Sequence, residues 1–369
     1  MCNYNSSSPT LTNCTFSGNS ASGSSNGYGG GMYNGSSSDP VLTNCTFANN
    51  SADYSGGGMC NYYSSSTTLT NCTFSGNRAS GSFYGYGGGM YNYYSLSPVL
   101  TNCTFSNNSA RDYGGGMYNN SSSPVLTNCT FTNNSASRGG GMRNDDSSSP
   151  VLTNCILWGN TASSSGNEIY NSGSNNKPTI DTCIIKGGYS SYGTYTNIIT
   201  EDPKLMPLGN YGGSVQTCPV GAGSSAIDVG KVVYGVTTDA RGFTRFSSSP
   251  TIGACEYSIL ECDPSNPPFV KTEECIAKYS SSYEFTLNMF ITGNNLTYQW
   301  YKDGIAIEGA TSSSYKTKQD AGTSKYYVEV SDGSTTITSS EIAIETIDIC
   351  YYVSTGGSSS NDGLSWATA

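Results

Sequence analysis

Seven cysteines recur along the first half of the chain: Cys14, Cys45, Cys72, Cys103, Cys129, Cys155 and Cys183, spaced 31, 27, 31, 26, 26 and 28 residues apart. Thiols in such a series could hold soft metal ions or exchange disulfides. No CxxC pair occurs, however, and thiol metal sites usually contain one. Equivalent positions of a stacked repeat also point their side chains the same way, a poor geometry for disulfides. The spacing therefore reads as a small apolar filler at one repeated buried slot. The 369 residues contain no histidine, which excludes Ser-His-Asp and Cys-His catalysis and imidazole metal sites in this sequence. No cofactor or metal is expected.

Carboxylates are the other candidates for chemistry, because polysaccharide cleavage needs clustered acids, or acids beside Lys or Arg. Residues 1–155 hold nine charges: Asp39, Asp53, Asp112, Asp145, Asp146, Arg78, Arg111, Arg138 and Arg143. Asp39, Asp145 and Asp146 fall in the tract before a strand, and Asp53, Arg111 and Asp112 in variable loops. No repeated acid pair marks one face, so a non-catalytic protein is expected. The net charge of −10 and the lack of basic clusters argue against nucleic acid and anionic membranes as partners. No apolar run reaches membrane-spanning length.

The element that must position these residues is a repeat. Met1, Met32, Met59, Met90, Met117 and Met142 are spaced 31, 27, 31, 27 and 25 apart, a period that means a solenoid, propeller or array. One unit reads Gly-Gly-Gly-Met, a polar tract, Pro-Val-Leu-Thr-Asn-Cys-Thr-Phe, then x-x-Asn-x-Ala and a variable loop. Cys and Phe two apart give strand periodicity. Leu to Cys is three, so a bend is expected near Thr101 and Asn102, where Asn tolerates left-handed geometry. About five apolar side chains per unit cannot form a core alone, whereas stacked coils can. The expected fold is all-β: a parallel β-helix of about seven coils, about 34 Å long at about 4.8 Å per coil. Cys14 to Cys183 and Phe16, Phe47, Phe74, Phe105 and Phe131 would line its interior. Asn19, Asn50, Asn77, Asn108, Asn134 and Asn160 would stack at one corner and bond one another's amides.

The variable loop alternates in length, with seven residues at 22–28 and 80–86 and three at 53–55 and 111–113. Longer loops should protrude on every second coil, where a ligand could bind. Tyr33, Tyr91 and Tyr118, with Tyr4, Tyr62, Tyr63, Tyr93 and Tyr94, read as an external aromatic stack, either packed on itself or open to a sugar ring. The Asn and Thr flanking each Cys should form a regular outer array. Five Asn-Cys-Thr sequons read as one copied motif rather than glycosylation sites.

Gly-Gly-Gly-Met paired with Phe-x-x-Asn, as in Phe16 to Asn19 and Phe105 to Asn108, resembles the repeats of the polymorphic outer-membrane adhesin family. The match covers residues 1–160, with Leu157 in place of the last Phe. That resemblance implies a right-handed β-helix and a secreted or cell-surface, adhesin-like role in a bacterial envelope, with a glycan or cell-surface ligand as partner. The alternative is a carbohydrate-active β-helix, lyase- or hydrolase-like, whose active coils lie elsewhere in a longer protein.

Beyond the repeats, Glu201–Leu205, Gly212–Gly230, Thr237–Phe246 and Thr251–Tyr257 resemble, in order, the C-terminal elements of secreted bacterial β-helix proteins of the choice-of-anchor type. They imply a segment over 201–260 that closes the open end of the 1–200 rod. Residues 261–348 carry strands separated by Asp-Gly turns and resemble bacterial immunoglobulin-like sandwiches. There Trp300 would be the core Trp, and Tyr326 or Tyr327 the corner Tyr. Cys262 with Cys275 is the favoured bridge. Residues 349–369 resemble the opening of a further β-helix, and both ends read as cut within longer modules.

Overall fold

The computed structural model describes residues 1–257, apart from 24–26, 82–83, 96 and 222. Beyond these it describes 261–262, 276–280, 285–288, 296–318, 322–331, 333, 336–339 and 342–347. Residues 349–369, and Cys275 of the expected bridge, lie outside the described residues. Two compact units form, Met1–Tyr257 and Ser258–Ala369. The first unit takes in the rod together with residues 201–257.

The first unit is a parallel β-helix. One coil contains strands Met90–Tyr93, Val99–Thr101, Thr104–Ser106 and Ser109–Ala110. Each strand pairs in parallel with its equivalents one coil earlier and later. The Met-led strands build a seven-stranded sheet, so the rod has about seven coils. Strand Thr194–Ile199 pairs with Thr179–Ile185 at the last coil.

Registration follows from the sequence. Leu42, Leu69, Leu100, Leu126 and Leu152 pair in line, ending at Ile180. The Phe positions pair likewise, and their rings stack 4.5–4.7 Å apart within 6° of parallel. Sealing each such ring from water is worth about 1.5–3 kcal/mol. In the first coil Leu11, Cys14 and Phe16 are only half-buried. The bend between Leu and Cys falls on the Asn, as its left-handed tolerance predicts: Asn13, Asn44, Asn71, Asn102, Asn128 and Asn154 have φ of 52–54°.

The glycine triplet has two duties. Gly87 takes φ +64°, which a side chain resists. Gly89 leaves room for the next coil, since a Cβ there would meet the Gly116 carbonyl oxygen at 2.5 Å.

Residues 201–257 differ from expectation. They lie along the side of the rod rather than across its end. Thr73 donates to the Gln216 carbonyl, Asn102 to that of Thr238, and Asn154 to that of Lys231. The Ala254 amide donates to Thr130. The physical reason is an apolar patch on the rod's outer face. The Thr after each Cys becomes Ile156 and Ile184 in the last coils, and these pack on Val220, Ala226 and Ile252.

In the second unit, strand Gly322–Ser331 pairs antiparallel with Thr297–Lys302, Thr336–Thr338 and Ile342–Ile347. A further antiparallel sheet joins Glu261–Cys262, Phe285–Asn288 and Ser314–Thr317. Trp300 is fully buried among Leu287, Tyr326, Val328 and Ile344, with its indole NH donated to Ser312. Tyr326 is buried, whereas Tyr327 is half-buried and stacks on Tyr301 at 4.6 Å. This arrangement is compatible with an immunoglobulin-like sandwich.

Candidate functional site

The thiol ladder lies inside the rod. Cys45, Cys72, Cys103, Cys129, Cys155 and Cys183 are fully buried, and each Sγ donates to the carbonyl two residues earlier at 3.3–3.4 Å. Burial pushes the Cys103, Cys129 and Cys155 thiols well above their usual range. A thiolate is the nucleophile and metal ligand, so these groups are chemically quiet. Among the described residues, no group of three or more His, Cys, Asp or Glu is placed to hold a metal.

The corner asparagines form a continuous amide ladder. Each Nδ2 donates to the Oδ1 of the next coil's Asn, from Asn19 to Asn160, at 2.8–2.9 Å. From Asn50 onward the same Nδ2 also reaches a Phe carbonyl one coil back, at 2.9–3.0 Å. The ladder ends on a carboxylate: Asn160 donates to Glu168. Burial pushes Glu168 up to about 7, against hydrogen bonds from Asn160 that favour the charged form.

Sequence reasoning missed a second ladder. Asn3, Asn34, Asn61, Asn92, Asn119, Asn144 and Asn171 are joined amide to amide at 2.7–2.9 Å. The signal was the constant Met-x-Asn spacing. The Asn-Cys-Thr asparagines make a third, from Asn154 through Asn128, Asn102 and Asn71 to Asn44. Over the middle coils this outer array is covered, because Asn102, Asn128 and Asn154 are buried under residues 201–257.

The cover is pinned by buried charge. Asp239 accepts from the Arg241 guanidinium at 2.8 and 2.9 Å, and Arg241 also reaches the Glu256 carbonyl. Arg245 donates to Asn102 Oδ1 on the rod, to the Thr251 and Gly253 carbonyls, and lies 3.7 Å from Glu256. Two acids balance two guanidinium groups, which is what allows all four to be buried.

One groove of about 560 Å³ opens between Asp181, Thr182, Asn197–Ile199 and Val229–Lys231. Burial would raise the Asp181 pKa, but hydrogen bonds from Lys231, Thr196 and Thr182 outweigh it and bring it to about 2. Lys231 Nζ sits 2.9 Å from that carboxylate. Asp181 is the groove's one carboxylate among the described lining residues and is already ion-paired, so the two-acid geometry of sugar hydrolysis is not assembled there.

The most developed outer feature is tyrosine. The position after Met32, Met59, Met90, Met117 and Met142, and after Ile169 that replaces Met in the next coil, holds Tyr33, Cys60, Tyr91, Tyr118, Arg143 and Tyr170 in register. Around it, Tyr62 stacks on Tyr93 at 4.8 Å, Tyr86 on Tyr113 at 5.1 Å, and Tyr91 on Tyr118 at 5.2 Å. The column meets the Arg143 guanidinium, 3.4 Å above Tyr113 and paired with Asp145, which also accepts the Tyr118 hydroxyl. Burial pushes Tyr28 in the same cluster up to about 12. At the edge, Tyr4, Tyr63, Tyr84 and Tyr94 remain exposed. The variable loops end beside the column in register, Tyr28 bridging to Ser55, then Tyr86, Tyr113 and Arg138. The tips 24–26 and 82–83 lie outside the described residues.

The model of the family described as "Right handed beta helix region" matches residues 1–95 and 80–202, more than half of the chain. No curated protein matches it. With parallel coils stacked in register across the matched stretch, this chain belongs to the right-handed β-helix family.

Proposed function

We propose that this chain is a non-catalytic, adhesin-like rod of a bacterial cell surface or secreted protein, which presents one lateral corner to a glycan or another surface. The observation that carries this reading is the tyrosine column flanked by variable loops. Backbone pairing fixes that corner coil by coil, so a repeating ligand meets groups already held in place. Arg245 on Asn102, with the Thr73, Asn102 and Asn154 side chains on backbone carbonyls of the segment, holds residues 201–257 on the rod, which suits a stiff spacer. The second unit, read as immunoglobulin-like, serves as a further spacer.

Beads coated with the purified chain test this. They should be retained on a cell or polysaccharide surface without releasing reducing ends or unsaturated sugar products. Release of either product would favour the carbohydrate-active alternative, and absence of retention would overturn the adhesive one.

A further inference from the structure

Six coils carry an equivalent corner residue after the Met-led strand: Asn5, Ser36, Tyr63, Tyr94, Ser121 and Asp146, all with φ between 44° and 55°. Left-handed geometry suits Asp and small polar residues, and is an outlier for a bulky ring. Tyr63 and Tyr94 adopt it on adjacent coils, with their backbone amides locked to Tyr93 and Asn120 carbonyls at 3.0 Å. Both rings are 52 % exposed, although the column beside them buries Tyr91 and Tyr118. Packing alone does not account for two strained residues that leave half their surface in water. Strain of this kind concentrates at functional sites.

The rings are also pre-aimed. Tyr63 stands edge-to-face on Tyr62 at 4.5 Å and 83°, and Tyr94 on Tyr93 at 4.8 Å and 84°. They lie 6.1 Å from one another, 24° from parallel. Small residues, Ser36 and Ser121, bound them one coil to each side. Beyond Tyr94, the half-buried Asn120 donates to the exposed Asp146 carboxylate at 2.8 Å.

We propose that Tyr63 and Tyr94, together with Asn120 and Asp146, form a shelf that binds an uncharged polysaccharide. Pyranose C–H faces lie against the two phenol rings, and sugar hydroxyls bond Asn120 and Asp146. Aromatic faces with a few fixed polar groups are what such a ligand requires. Charge selects against uronate polymers: the nearby cation, Arg143, is buried and paired with Asp145, while Asp146 faces outward on a chain of net charge −10. This inference rests on the adhesive reading and narrows it to one site and one ligand class.

The test is the double variant Tyr63→Ser/Tyr94→Ser, which places at both corners the residue already used at Ser36 and Ser121. Calorimetric titration would use cellohexaose, laminarihexaose, mannohexaose and xylohexaose, with hexagalacturonate and hexaguluronate as anionic controls. The wild-type chain should bind at least one neutral hexasaccharide and neither anionic one. The variant should bind at least tenfold more weakly while its melting temperature stays level or rises, because strain is relieved. A variant that melts lower and binds as wild type would show a packing role and overturn the proposal. So would failure of the wild type to bind any neutral hexasaccharide, or preference for the anionic ones. Surface retention of both proteins separates the two levels: equal retention sinks the shelf and leaves the adhesive reading intact, whereas no wild-type retention sinks that reading itself.

Discussion

The side-chain amide of Asn160 ends its ladder by donating to the carboxylate of Glu168, so a row of neutral amides from Asn19 onward closes on a titratable group. The next coil supplies an acceptor in place of another Asn, and that acceptor is buried.

Stability should therefore depend on the Glu168 proton. Its pKa is raised from 4.5 to about 7, so the folded state holds a proton that the unfolded state releases. The contribution is fully present below about pH 4.5, declines as pH rises, and is gone above about pH 7. The span corresponds to at most about 3 kcal/mol. Thermal melts from pH 4.5 to 8 should show the decline in wild type and a flatter profile in Glu168→Gln, with the variant more stable at pH 8.

Removing a middle rung should cost more than removing an outer one. Asn108→Ala strands the Asn77 amide groups and the Phe74 carbonyl in a dry corner. About 2–4 kcal/mol is expected. Asn19→Ala leaves the partners of an exposed residue and should cost under about 1 kcal/mol. Urea unfolding of the two variants gives the comparison.

Arg245 ties residues 201–257 to Asn102 on the rod. Arg245→Ala leaves Glu256 buried without its guanidinium neighbour and should destabilise by about 3–5 kcal/mol. Limited proteolysis should then cut within 201–257 first, while dichroism of the rod persists. Equal resistance in wild type and variant would show that the contact does not hold the segment.

Thiol reactivity should follow depth. Cys2 is exposed and Cys14 half-buried, whereas Cys72, Cys103, Cys129 and Cys155 are sealed. Peptide mapping after alkylation should find Cys2 modified first, Cys14 more slowly, and the interior four only in denaturant.

Much of the rod was legible because its side chains obey simple rules. Cys103 and Phe105 sit two apart on one strand face, Asn102 takes the left-handed bend, and Asn108 stacks at a corner. The Met-x-Asn ladder escaped because an interior Asn such as Asn92 contradicts the rule that polar groups face water. It is tolerated only because each amide finds the next. The course of residues 201–257 was not legible from their own motifs, which give an order of elements without a partner. The clue lay on the rod, where Thr104 and Thr130 give way to Ile156 and Ile184. The exposed tyrosine pair was visible as composition, but its left-handed backbone needed coordinates.

The central claim is that successive repeats stack in parallel at one coil per repeat. Val41, Val99 and Val151 are outward-facing and occupy equivalent slots two coils apart. Nitroxides placed there through bio-orthogonal side chains, leaving native thiols alone, should lie about 10 Å apart for the 41–99 pair and about 19 Å for the 41–151 pair, at about 4.8 Å per coil. Distances that do not grow in proportion to the number of coils between the labels would contradict the stacked rod.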